Sequence, residues 1–136
     1  MAASLISSAG VSQCMEHPRP KMAGALYFVA AAQLILGIMV AEALYPGYSI
    51  SGNYISDLGT GPSALIFNSS IFLFGLLVAA GTYSTRRLPC FKAINAFFFL
   101  MAVGAMGVGV FNQDYAYIHS VFAILAFLFG GLTALA

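Results

Sequence analysis

Four long stretches of apolar residues dominate the sequence. They run from Met22 to Tyr45, from Ser63 to Tyr83, from Phe91 to Phe111 and from Ala116 to Ala136. Each is close to the roughly 20 residues that a helix needs to cross the apolar core of a bilayer. Apolar side chains follow one another in these stretches without the alternation typical of a membrane β-strand. The pattern predicts an all-α fold, a polytopic helical bundle with four transmembrane helices.

The segments between these stretches divide the chain into a tail and one domain. We expect residues 1–21 to form an amino-terminal tail and residues 22–136 to form a four-helix transmembrane domain. Within that domain, a long outer loop covers residues 46–62, and two shorter connections cover residues 84–90 and 112–115. Short connections between helices favour the packing of consecutive helices against each other.

Composition points to lipid as the solvent for most of the chain. Hydrophobic residues make up 61% of the sequence and charged residues 7%, and the formal net charge is +1. Soluble domains are about 25% charged. These values exclude a soluble enzyme, a basic nucleic-acid-binding protein and a disordered tail. We therefore expect membrane lipids among the partners and no nucleic acid.

The five basic residues all flank the same side of the predicted spans: Arg19, Lys21, Arg86, Arg87 and Lys92. Basic residues are retained on the cytoplasmic side of a membrane. We therefore expect both termini in the cytoplasm and residues 46–62 outside, in a multi-pass integral membrane protein of the plasma membrane if the chain is prokaryotic. Cys14 and Cys90 would lie on the reducing side, so we expect both thiols to be free and inert.

Small and polar residues within the spans favour contacts between helices. Gly75, Gly109 and Gly130 each lie four residues from another small residue, a spacing that lets two helix backbones approach closely. We expect them to face helices of this chain or of another subunit, and at least one to serve another subunit. We also expect three polar side chains to hydrogen-bond a neighbouring helix: Gln33, Asn68 and Asn95.

The long outer loop is half apolar, which favours a lid that lies in the membrane interface. We expect turns at Gly59 and Gly61 to close this lid. Pro62 is expected at the first position of the second helix, where its missing N–H costs nothing.

One segment of the loop carries a resemblance to a known family. Asn53-Tyr54-Ile55-Ser56-Asp57-Leu58-Gly59, together with Ala64-Leu65-Ile66-Phe67-Asn68 and the later Ile118-His119-Ser120, resembles a prokaryotic membrane protein family designated domain of unknown function 998. The resemblance covers most of Met22 to Ala136 and implies no established chemistry. Members of that family usually have a further pair of spans. The Ile-Ser-Asp portion is also similar to eukaryotic autophagy-modulator and Sfk-type proteins, which implies a role near lipids.

Polar and ionisable residues meet at the predicted outer face: Glu42, Asn53, Ser56, Asp57 and His119. Glu42 lies in the last turn of a helix, where the dipole disfavours a carboxylate, so we expect it to have a partner. The helix start favours the neutral form of His119, which can accept a proton or bind a metal. We expect the lid to fold over His119 and enclose a polar pocket, with Asp57 within about 12 Å. Asp114 is expected to be the N-cap of the fourth helix.

Two functions fit these residues. The first is an accessory subunit of a larger membrane assembly, which packs against other membrane subunits or a second copy, or contacts lipid, and has no cofactor or chemistry of its own. The alternative is a membrane-embedded lipid hydrolase, in which a carboxylate and imidazole site of unknown metal identity activates water. A transporter is disfavoured because the middle of each span lacks charged residues.

Overall fold

The computed structural model describes residues 18–135, which form four long helices joined by short 3-10 turns. The helices are α1 (Pro18–Leu44), α2 (Ala64–Thr85), α3 (Lys92–Val110) and α4 (Ala116–Leu135). The 3-10 turns are Ile55–Gly59, Gly61–Ser63, Pro89–Phe91 and Gln113–Tyr115. All four helices are long and apolar enough to span a membrane, and residues 18–135 contain no strand. The predicted all-α, four-span architecture is therefore confirmed.

Helix α1 begins at Pro18, earlier than the predicted start at Met22. Proline is well suited to a first helical turn because its fixed φ matches the helix and its missing N–H leaves no bond unmade. Arg19 and Lys21 consequently belong to the first turn of α1. Residues 1–17 of the predicted tail lie outside the described residues.

The helices pack in chain order. Helix α1 packs against α2, α2 against α3 and α3 against α4, whereas α4 makes no comparable contact with α1 or α2 in the described part of the chain. One buried cluster joins α1, α2 and α3 through Ala30, Val78 and Ala102. A second cluster, of Ala41, Leu58 and Phe67, lies beneath the long loop. Helices α2 and α3 thus form the centre of the row, and α4 forms an open edge.

The three glycines predicted to face helix contacts lie between helices of this chain. A Cβ atom at Gly75 would lie 2.7 Å from the carbonyl oxygen of Ala102 in α3. A Cβ at Gly109 would lie 2.7 Å from the carbonyl oxygen of Asn68 in α2. A Cβ at Gly130 would lie 3.2 Å from a methionine sulfur of α3. A contact of any of these glycines with another subunit stays a prediction.

Two polar side chains within the spans bond across helices, as predicted. Gln33 in α1 donates from Nε2 to the carbonyl oxygen of Ser70 in α2, at 3.0 Å. Thr85 at the end of α2 donates from Oγ1 to Oδ1 of Asn95 in α3, at 3.0 Å, and both residues are buried. These bonds satisfy the amide N–H of Gln33 and Oδ1 of Asn95 where no water is present. Nδ2 of Asn95 is buried without a hydrogen-bond partner among the described residues.

Cys90 lies in a disulfide bond. The expectation of a free thiol is therefore wrong for Cys90, and Cys14 lies outside the described residues. That expectation rested on the predicted side of the membrane alone. A disulfide depends on the distance between two sulfur atoms in the folded chain, which spacing along the sequence does not reveal.

Candidate functional site at the loop end

The up-and-down order of the helices separates the charges into two ends. The basic end contains Arg19, Lys21, Arg86, Arg87 and Lys92. The opposite end, here named the loop end, contains residues 45–63 and 111–115. The acidic residues of the described part all lie at or beside the loop end: Glu42, Asp57 and Asp114. The predicted site residues of the outer face therefore share one end of the bundle.

The long loop folds down onto the bundle through Leu58. The side chain of Leu58 is completely buried, whereas Ile50 and Tyr54 remain 80% and 76% exposed. Gly61 adopts a φ of 62°, a left-handed conformation that favours glycine at this turn. Gly59 has a different role, because a Cβ there would lie 2.7 Å from the side-chain oxygen of Asn68. The loop thus combines one buried anchor with an exposed apolar surface suited to a membrane interface.

The carbonyl oxygen of Gly59 joins three segments of the loop end. It accepts one hydrogen bond from Nδ2 of Asn68 in α2, at 3.0 Å, and another from Nδ2 of Asn112 after α3, at 3.3 Å. The prediction that Asn68 bonds a neighbouring helix is wrong, because the turn at residues 55–59 directs this carbonyl oxygen towards α2. Asn112 was not among the predicted site residues, and its only signal in the sequence is its position directly after a predicted span.

Asn53 and Asp57 lie together and hold the fold of the loop. Asp57 Oδ2 accepts hydrogen bonds from the backbone N–H of Tyr54, at 2.9 Å, and from Nδ2 of Asn53, at 3.3 Å. The backbone N–H of Ser49 donates to Oδ1 of Asn53, at 3.2 Å. Ser56 is half-buried beside them. These bonds stabilise the loop conformation itself.

His119 is engaged in a different contact. Its Nδ1 lies 2.9 Å from the carbonyl oxygen of Phe111, which only accepts, so Nδ1 is the donor of this hydrogen bond. The bond ties the first turns of α4 to the end of α3. No hydrogen bond joins His119 to Asp57 within residues 18–135, and the pocket expected to unite them stays a prediction.

Tyr48 is a second residue at this end, besides Asn112, that was not among the predicted site residues. Its hydroxyl is buried and has no hydrogen-bond partner among the described residues. Burial, followed by the negative charges of Glu42 and Asp57, raises the pKa of the Tyr48 phenol above its ordinary value of 10.0. Tyr48 therefore lies within electrostatic reach of two carboxylates, one in the last turn of α1 and one in the long loop. Its only signal in the sequence is an aromatic side chain in the long outer loop.

Asn112 is the N-cap of the 3-10 turn Gln113–Tyr115, which precedes α4. Its Oδ1 accepts from the backbone N–H of Asp114, at 3.3 Å, and its Nδ2 donates to Oδ2 of Asp114, at 2.9 Å. The prediction that Asp114 is the N-cap of the fourth helix is wrong, because the 3-10 turn Gln113–Tyr115 precedes α4 and moves the cap position upstream. In the described part of the chain, no group of three His, Cys, Asp or Glu residues is placed to hold a metal ion.

Four apolar helices with their charges divided between the two ends define a multi-pass integral membrane protein. The model of the family "Protein of unknown function (DUF998)" matches residues 28–136, so the chain belongs to that family. The resemblance found at residues 53–59 is thereby confirmed at the level of the family. No curated protein and no solved structure matches the chain. Kinship with the autophagy-modulator and Sfk-type proteins, and a prokaryotic origin, stay predictions.

Proposed function

We propose that this protein is an accessory subunit of a membrane assembly, acting by contact with another membrane subunit and with lipid rather than by chemistry of its own. The observation that carries the proposal is the position of α4 at the open edge of the row. No residue of Ala116–Leu135 is buried within the described chain. In a closed bundle, a fourth helix would pack against the first as well as the third.

One face of α4 fits a partner helix better than it fits lipid alone. This face, the outer stripe, lies opposite the residues that pack on α3 and contains Ile124, Phe127, Leu128, Gly131 and Leu135. A Cβ at Gly131 would meet nothing within 4 Å in this chain. Glycine weakens a helix and offers lipid little contact, whereas it lets the backbone of a second helix approach closely. The outer stripe therefore supports a helix contact outside the chain.

The mass of the protein in mild detergent tests the proposal. We expect native mass spectrometry of the wild-type protein to show a particle larger than the 14.3 kDa chain. Gly131→Leu should return it to the single chain because a bulky side chain separates the two backbones. Gly24→Leu is the matched control, since a Cβ at Gly24 in α1 also meets nothing within 4 Å.

Two outcomes would overturn the accessory function. One is a wild-type protein that purifies as a single chain under mild conditions. The other is an equal loss of association in Gly131→Leu and Gly24→Leu, which would place the contact elsewhere or indicate non-specific association. The mass of the wild-type particle also distinguishes a second copy from a different subunit, because a dimer of this chain has twice its mass.

The placement in the membrane belongs to the same proposal. The basic end is assigned to the cytoplasm and the loop end to the outside, with the plasma membrane as the location if the chain is prokaryotic. The support is that all five basic residues lie at one end of the row. The disulfide bond of Cys90 at the same end is the observation against it, because disulfides are rare in the cytoplasm. The lipid hydrolase alternative draws no specific support from the contacts of Asp57 and His119, each of which bonds to nearby backbone.

A further inference from the structure

At the basic end, a cleft of about 460 Å³ opens between the first turns of α1 and the last turn of α2. Three arginines contribute to its lining, Arg19 from α1 and Arg86 and Arg87 from the end of α2. We propose that this cleft binds the phosphate headgroup of an anionic phospholipid, with the upper part of an acyl chain beneath it. The proposal deepens the lipid-contacting part of the proposed function and rests on the membrane placement given there.

The guanidinium group of Arg86 is held in a defined position. It lies over the ring of Tyr83, with its central carbon 3.4 Å from the ring centroid, and Nη1 donates to the carbonyl oxygen of Tyr83 at 3.2 Å. A guanidinium group has five N–H donors, so most of them stay available to another acceptor. Stacking on an aromatic ring leaves the edge of the group free for a phosphate.

The cleft lacks negative charge of its own among the described residues. Arg86 and Arg87 make no ion pair within residues 18–135, and the three acidic residues of that range lie at or beside the loop end. The two arginines are adjacent in sequence and both line the cleft. Their charges therefore call for an anion from outside this part of the chain, and a phosphate matches the forked geometry of arginine.

The apolar part of the lining distinguishes a lipid from a free phosphate. Met22 and Leu26 of α1, with Ala80 of α2, continue the cleft from the arginines into the span. From Arg19 to Leu26 a helix rises about 10 Å. The cleft thus has a charged rim at the depth of the headgroups and an apolar wall at the depth of the first acyl carbons. Only a molecule with both parts would fill it.

The test compares lipid binding by two variants with the same loss of charge. Arg86→Gln/Arg87→Gln removes two positive charges from the cleft, and Lys21→Gln/Lys92→Gln removes two from the same end at residues that do not line it. Purified protein in nanodiscs or mixed micelles is titrated with phosphatidylglycerol, with phosphatidylcholine and with inorganic phosphate. Circular dichroism establishes that each variant keeps its helices.

We expect the wild type to prefer phosphatidylglycerol to phosphatidylcholine. The arginine variant should bind phosphatidylglycerol roughly thirtyfold more weakly, since each of the two basic groups it loses contributes about 1 kcal/mol near an anionic surface. The lysine variant should stay close to the wild type. The affinity of Arg86→Lys/Arg87→Lys for phosphatidylglycerol should lie between those of the wild type and the arginine variant. Lysine keeps the positive charge but lacks the paired N–H donors of a guanidinium group.

Three results would overturn the lipid site. Equal losses in the arginine and lysine variants would show a diffuse attraction to the surface. Binding of inorganic phosphate as tight as that of phosphatidylglycerol would show a phosphate site without a lipid. Equal binding of phosphatidylglycerol and phosphatidylcholine would show no headgroup recognition. Because none of these variants alters α4, association lost only in Gly131→Leu bears on the accessory function and leaves the lipid site to be judged separately.

Discussion

Single residues at the loop end illustrate how a membrane protein satisfies its backbone where the chain leaves the helix. The carbonyl oxygen of Gly59 receives two asparagine donors, and Asp57 receives a backbone N–H and an amide N–H. A polar group left unpaired in a buried place costs roughly 1–3 kcal/mol, so these side chains are needed for structure before any chemistry is considered. Two side-chain atoms at this end are exceptions, since the Tyr48 hydroxyl and Oε1 of Gln113 are buried and lack such a partner within the described residues.

Tyr48→Phe should therefore leave the protein as stable as the wild type or more stable near neutral pH. The substitution removes an unpaired buried hydroxyl, so no hydrogen bond is lost, and it keeps the aromatic ring. Above about pH 10 the stability difference should grow in favour of the phenylalanine variant. The pKa of Tyr48 is raised in the folded protein, so the phenol loses its proton more readily in the unfolded chain. The stability of the wild type therefore falls as the pH rises, and that of Tyr48→Phe lacks this contribution. Thermal unfolding of the wild type and of Tyr48→Phe in detergent, at about pH 8 and at about pH 11, measures the stability difference at each pH. A loss of stability in Tyr48→Phe at the lower pH would reveal a partner for the hydroxyl.

His119 permits a second test on a single contact. His119→Leu should destabilise the protein by about 1 kcal/mol because the carbonyl oxygen of Phe111 loses its donor from Nδ1. His119→Asn should retain most of the stability, since its amide N–H can occupy a similar position. The measurement is the apparent melting temperature in detergent. If the leucine variant melts no lower than the asparagine variant, the hydrogen bond contributes nothing to the α3–α4 contact.

At the scale of elements, close approach of backbones decides which helices pair. A Cβ at Gly104 in α3 would lie 2.5 Å from the backbone nitrogen of Ala126 and 2.8 Å from the carbonyl oxygen of Phe122, both in α4. Backbone atoms cannot move aside as a flexible side chain can. Glycines of α3 permit the close approach of both neighbouring helices, Gly109 on the side of α2 and Gly104 on the side of α4. Helix α3 can therefore pack between α2 and α4.

Gly104→Ala and Gly24→Ala should change stability in opposite directions. Alanine at Gly104 pushes α4 away from α3 and should lower the apparent melting temperature. Alanine at Gly24, where a Cβ meets nothing within 4 Å, should raise stability by up to about 1 kcal/mol because a glycine leaves the interior of α1. Thermal unfolding of both variants in the same detergent provides the comparison. Equal shifts would mean that α3 and α4 do not cross at Gly104.

At the scale of the whole molecule, the separation of charge between the two ends predicts how the protein lies in the membrane. Ser49→Cys, in the exposed loop, should react with a membrane-impermeant maleimide added to intact cells. Leu88→Cys, at the basic end, should react only after the membrane is opened. The wild-type chain, in which Cys90 is held in a disulfide bond, gives the background. The reverse pattern of labelling would invert the orientation and move the proposed lipid site to the outer leaflet.

The sequence by itself determined the number and type of the spans and the family. These follow from local properties, since a stretch of about 20 apolar residues satisfies its backbone in lipid only as a helix. The segregation of Arg19, Arg86 and Arg87 to one end follows as well, because the order of spans and loops is read directly from the chain. Gln33 and Asn95 were predictable for a related reason: a polar group within a span must find a partner on a neighbouring helix.

Only the tertiary structure decided which residues meet. Asn68 and Asn112 converge on Gly59, and Tyr48 comes near Glu42 and Asp57, through turns whose geometry depends on Leu58 entering the core. Likewise, no local pattern distinguishes Gly130, which faces α3, from Gly131, which faces away from the chain. Successive residues of a helix are rotated by about 100° about its axis, so Gly130 and Gly131 face different directions. The position of the neighbouring helix decides which of the two lies in a helix contact and which lies on an exposed surface.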